Sequence, residues 1–122
     1  MFWTIIDMKE GFNFRDIKSF EDACNHLGIS SEIPTMPSNF ISQYKLEIII
    51  RAINNGWKSD FTNINQYKYY PYFETNASGV STYRTTTFYY DDYRYLPLAF
   101  YLESCEKAEY MGKKFKHLYD ET

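Results

Sequence analysis

Side chains able to carry chemistry at neutral pH are few and scattered in this sequence. Its histidines, His26 and His117, lie far apart, each beside an expected helix end. Cys24 and His26 are two residues apart, a spacing that turns them to different sides of a helix, so they cannot chelate one ion. Cys105 has no C-x-x-C partner either; neither a zinc site nor a redox pair is signalled, and both cysteines read as buried free thiols. The nucleophile elbow G-x-S-x-G, the phosphate loop G-x-x-x-x-G-K-[ST] and the dinucleotide turn G-x-G-x-x-G do not occur. Asp60, Asn63 and Asn65 resemble half of a calcium loop, but they miss the alternating oxygen positions and the required glycine, and their side chains suit capping of loop backbone instead. Asp91 and Asp92 are adjacent in an expected hairpin turn, where turn chemistry accounts for them without paired-carboxylate catalysis. The expectation is no metal, no cofactor and no catalytic set.

What the chain has in excess is aromatic rings: 13 Tyr, 10 Phe and 2 Trp make up 20% of its residues. Ten of the tyrosines lie between Tyr67 and Tyr101. A tyrosine buries its ring but keeps its hydroxyl paired or wet, which places it at the boundary of core and solvent. The candidate surface comprises Trp57, Asp60, Tyr67, Lys68, Tyr69, Tyr70, Tyr72, Arg84, Tyr93 and Arg94. Two readings of the tract stay open. Its rings either pack over a hairpin and cover its outer face, or they form an interface. As an interface they would anchor a protein partner, or stack the bases of single-stranded nucleic acid while Lys68, Arg84 and Arg94 meet phosphates. A formal charge of −3, with no run of one sign, argues against a duplex-DNA binder. A third reading is an enzyme acting on a nucleotide or sugar, with Asp60, Asp91 or Asp92 as general base.

The elements that must position these residues follow from pattern. At 122 residues, 44% hydrophobic and 24% charged, the chain suits one domain over residues 1–122 with one core. No secretory signal and no apolar run of about 18 residues is visible, so the cytoplasm is the expected compartment and no membrane partner is expected. Residues 2–8 suit a short strand. Ser19, followed three residues later by Asp22, predicts a two-turn helix that Gly28 stops. Residues 30–37 form a loop, and Leu46, Ile49, Ile50 and Ile53 mark a longer helix over about 40–55, closed by Gly56 and expected to be the most buried element. Residues 57–79 show no sustained period and read as ordered but irregular. Strands over 81–90 and 96–102, joined by a turn at 91–94, form a hairpin. Ser104 caps a last helix to about Tyr119, with Ala108, Met111, Phe115 and Leu118 inside and Glu106, Lys107, Glu109, Lys113, Lys114 and Lys116 outside. The expected class is α+β: a small antiparallel sheet, from the C-terminal hairpin plus the N-terminal strand, packed with about three helices.

At the aromatic tract the chain resembles a group of short proteins from gut bacteria and the tailed phages that infect them. The likeness is carried by Gly56-Trp57 followed by Asp60, by Tyr67-Lys68-Tyr69-Tyr70-Pro71-Tyr72-Phe73, and by Ala108-Glu109-Tyr110 with Gly112-Lys113, Phe115, Leu118 and Tyr119. The stretch from Ser19 to Gly28 also looks like theirs. The chain departs from that pattern at Ser59 and Phe61, where proline and tryptophan would stand, and at Ala99, where an arginine is usual; the last change argues against anion binding by that segment. The resemblance implies a phage or prophage origin and no assigned activity. Taken together, these features lead to a non-enzymatic binding protein as the expected function, with single-stranded nucleic-acid binding as the alternative.

Overall fold

In the computed structural model, which describes residues 10–63, 65–75, 78, 81–89 and 98–121, the first helix begins where the sequence supplies its cap. The Asp22 N–H donates to Ser19 Oγ at 3.0 Å, and Asp22 Oδ2 accepts in return from the Lys18 N–H at 3.0 Å, one residue before the cap, so both side chains are used in a variant of the box. Helix α1 (Phe20–Leu27) then ends at Gly28, whose φ of 70° lets Ile29 N–H reach the Cys24 carbonyl at 3.0 Å. A side chain at that φ would be strained, which is why glycine stands there.

Helix α2 (Ser38–Asn54) is the centre of the molecule. Its Leu46, Ile49, Ile50, Ala52 and Ile53 are all 0% exposed. Phe20, Ala23, Cys24 and Leu27 of α1 pack on it from one side; Ala108, Met111, Phe115 and Leu118 complete the same cluster. The helix ends at Asn55, in the left-handed region at φ 47°, where asparagine is the non-glycine residue best tolerated.

The final segment departs from expectation by breaking. Ser104 caps it as anticipated, accepting from the Lys107 N–H at 3.2 Å. Helix α3 (Cys105–Lys114) stops at Phe115, whose φ −117° and ψ 24° are not helical, and helix α4 (Lys116–Asp120) follows. The break re-aims the chain so that both Phe115 and Leu118 reach the core, at 3% and 6% exposure. Tyr110 ties α3 to the chain before α1, donating from its hydroxyl to the Ile17 carbonyl at 2.6 Å. Burial and nearby Asp22 push that phenol above its ordinary pKa.

The expected α+β class with its antiparallel sheet is overturned. Among the described residues helix outweighs strand, with four α-helices, and the hairpin of 81–90 with 96–102 is not formed. Ser81–Tyr89 (β2) instead pairs backwards with Tyr67–Thr75 (β1), in a register running from Tyr67 opposite Tyr89 to Thr75 opposite Ser81. Leu98–Phe100 is a 3-10 turn, and Leu102 exchanges hydrogen bonds with Tyr69 at 3.1 and 2.8 Å without forming a strand. The stretch 57–79 read as irregular because β1 shows no apolar–polar alternation. Its buried and half-buried residues fall on both faces, Lys68 and Tyr70 on one and Tyr69 and Pro71 on the other, so side-chain type does not alternate, and Pro71 interrupts the pattern. The expected strand at 2–8 and turn at 91–94 lie outside the described residues. Helices α3 and α4 contact α2, and α3 also lies against the β1–β2 ribbon.

Candidate binding surface

Strand β1 divides the aromatic tract rather than presenting it whole. Tyr67 and Tyr72 remain 53% and 47% exposed. Tyr69 is half-buried against the helical core, and Phe73 sits against Tyr119 with ring centroids 5.4 Å apart. Tyr70 meets the edge of Tyr101 at 5.9 Å, and Tyr101 in turn meets Phe61 at 5.5 Å. Tyr101 and Phe61 are themselves buried. A second, smaller aromatic cluster thus covers part of the ribbon face that the helices do not.

Lys68 lies inside that cluster, 0% exposed. Its ammonium donates to the Gln66 carbonyl at 3.0 Å and stands 5.2 Å from the centre of the Phe61 ring. Burial lowers its pKa, and the nearby Asp60 carboxylate opposes that shift. A charge so enclosed is not at the surface to meet a phosphate. Arg84 lies in β2 opposite Tyr72 in the register. Tyr93 and Arg94 lie outside the described residues.

Asp60 is exposed and structural. Its Oδ1 accepts from the Thr62 hydroxyl at 2.6 Å and from the Thr62 N–H at 2.9 Å, and these bonds hold its carboxyl below the usual range. Asn63 makes the same kind of turn with the Asn65 N–H at 3.0 Å. Gln66 staples the loop, accepting from the Asp60 N–H at 2.6 Å and donating to the Lys58 carbonyl at 3.0 Å. These are the side-chain-to-backbone roles that the asparagine and aspartate spacing suggested. Bonds that favour its charged form also make this carboxylate a weaker base.

Trp57 is half-buried. It lines an open groove with Phe12, Phe14, Asn54, Glu103 and Lys107. Asn54, 4% exposed, holds the far side together, donating to the Tyr101 carbonyl at 3.0 Å and accepting from the Glu103 N–H at 3.1 Å. Sequence reasoning missed Phe12, Phe14 and Glu103 because nothing in their local pattern marks a groove. Only their meeting across some 90 positions of chain creates it. Lys107, expected outside, has only 13% of its side chain exposed and pairs with Glu103 at 2.5 Å.

Cys24 is buried, and desolvation raises its thiol pKa, which keeps it inert. Cys105 is exposed, contrary to expectation, because the first turn of α3 faces solvent there. His26 bonds through Nε2 to Asn55 Oδ1 at 2.9 Å and lies tilted against the Phe12 ring, while His117 is exposed. Among the described residues no three His, Cys, Asp or Glu side chains come together as a metal cluster. No described helix is long and apolar enough to cross a membrane. Set against known proteins, the chain matches no family model, no curated protein and no solved structure.

Proposed function

We propose that this chain is a non-enzymatic binding protein of phage or prophage origin. It acts in the cytoplasm of a bacterial host, through protein contacts made by the exposed rings of its ribbon and the Trp57 surface. The observation that carries this reading is the exposure of Tyr67 and Tyr72, about half of each, on a strand whose intervening residues are pinned by the core. A ring held on a fixed backbone loses little entropy on binding and brings a large apolar area with a polar tip. The engagement of Asp60 with Thr62 supports the non-enzymatic part. The enclosure of Lys68 favours a protein partner over single-stranded nucleic acid. The origin rests on the resemblance of the Tyr67–Phe73 and Ala108–Tyr119 segments to phage and gut-bacterial proteins.

The test is affinity capture from a bacterial host lysate with the intact chain and with a Tyr67→Ala, Tyr72→Ala chain, captured proteins being identified by mass spectrometry. Recovery of a specific partner is expected to fall by about tenfold or more with the double variant. Equal recovery by both chains overturns the reading. Saturable binding of a single-stranded oligonucleotide at low salt would favour the nucleic-acid alternative instead.

A further inference from the structure

The groove around Trp57 has a chemistry of its own. It occupies about 440 Å³ between the segment carrying Phe12 and Phe14, the C-terminal end of α2 and the residues that lead into α3. Two of its three rings already work as cation platforms or ring-contact partners. Phe14 carries the Arg15 guanidinium 4.4 Å from its centre and the Lys107 ammonium at 5.9 Å. Phe12 lies against the His26 ring, tilted by 38° with centroids 4.4 Å apart. The third, Trp57, uses its backbone N–H to bond the Asn54 carbonyl, yet its indole makes no ring contact or hydrogen bond among the described residues. Indole is the strongest of the side-chain rings at attracting a cation.

The electrostatics of the groove point the same way. Helix α2, 17 residues long, ends at Asn54 beside Trp57, so the negative end of its dipole borders the site. At the rim, Glu103 gives its Oε1 to Lys107, and Glu103 Oε2 has no partner among the described residues. The Glu103 side chain is 44% exposed against 13% for Lys107, so within this pair the charge facing solvent is the negative one.

We propose that this groove receives an arginine side chain of a protein partner, its guanidinium lying on the Trp57 indole with an N–H directed to Glu103. The proposal rests on the protein-binding reading and gives it a recognition chemistry. A planar guanidinium fits better than an ammonium because it can stack and donate to a carboxylate at once. The acidic balance of the chain, −3 overall, also suits a basic partner.

Replacing Trp3 by Phe leaves Trp57 as the sole tryptophan reporter, since the chain has 2 Trp. Its emission is titrated with N-acetyl-arginine N-methylamide and with the neutral citrulline counterpart. A change saturating in the millimolar range is expected for arginine, with citrulline weaker by about tenfold. Glu103→Gln, with its fold checked by circular dichroism, is expected to weaken arginine binding by a similar factor. Identical curves for arginine and citrulline, or no change up to roughly 100 mM, overturn the proposal. If that happens while capture still depends on Tyr67 and Tyr72, the groove assignment fails alone and the binding function stands.

Discussion

Helix α2 and strand β1 are both sheltered from water, but by different materials. The helix is sheltered by aliphatic chains at helical spacing, Leu46, Ile49, Ile50 and Ile53, each 0% exposed. The strand is sheltered in part, on both faces, by amphipathic chains: Tyr69 and Phe73 meet the helical side, while Lys68 and Tyr70 meet Phe61 and Tyr101. The first kind of burial adds transfer energy with no polar group to satisfy. The second encloses an ammonium and leaves Tyr67 and Tyr72 facing solvent. Stability should therefore concentrate around α2, and capacity for contact around β1.

The sharpest way to break this comparison is a truncation in the helix. Ile50→Ala removes buried methylenes and leaves a cavity that α1 and α3 cannot fill without moving. The expected loss is about 2–5 kcal/mol, a large part of the roughly 5–15 kcal/mol available to a domain. Urea denaturation measures it. A loss below about 1 kcal/mol would mean that α2 is not the centre of the cooperative unit.

The strand responds in the opposite sense. Lys68→Met keeps the length of the side chain and removes the enclosed charge, so at pH 7 it is expected to be neutral or stabilising by about 1–4 kcal/mol. The pH dependence follows from the lowered Lys68 pKa. In the folded chain Lys68 gives up its proton at a lower pH than in the unfolded chain, so the unfolded state binds more protons between the two values. Stability of the natural chain accordingly rises with pH across that window, up to the ordinary lysine range of about 10.4, and the advantage of the methionine variant shrinks. Urea midpoints of both chains from pH 7 to about 10.5 test this. A Lys68→Met chain that is markedly less stable at pH 7 would show that the bond to the Gln66 carbonyl and the Phe61 contact outweigh desolvation.

The same contrast explains what was legible in the sequence. Ser19, Asp22 and Gly28 specify α1 through bonds within a few residues of one another, so local reading located both ends. The spacing of Leu46, Ile49, Ile50 and Ile53 did the same for α2. Strand β1 is not legible, because burial of some residues on each of its faces erases alternation and because Pro71 reads as a break. With β1 illegible, the pattern offers β2 the wrong neighbour, since 96–102 alternates like a strand, whereas its Leu102 makes a lone bridge to Tyr69 of β1 and its Tyr101 meets Tyr70 by ring contact. The loop role of Asp60 was legible from its short-range chemistry. The groove of Trp57 was not, because Phe12, Phe14 and Glu103 join it only through the packing of α1 and α3 around α2.

The smallest expected effect tests the outer face of α3. Lys113 has 67% of its side chain exposed and pairs with Glu109, one turn earlier, at 3.1 Å. An exposed pair with the acid on the N-terminal side contributes about 0.3–0.5 kcal/mol, and a cation in the last helical turn adds a few tenths more. Alanine recovers part of this through its higher helix propensity. The net change for Lys113→Ala is therefore expected to stay under about 0.5 kcal/mol. What remains should vanish in about 1 M salt, where charges are screened within about 3 Å. A salt-insensitive loss would place Lys113 in a packing role, and a loss larger than that of Ile50→Ala would reverse the assignment of inner and outer faces on which the comparison of the two regions depends.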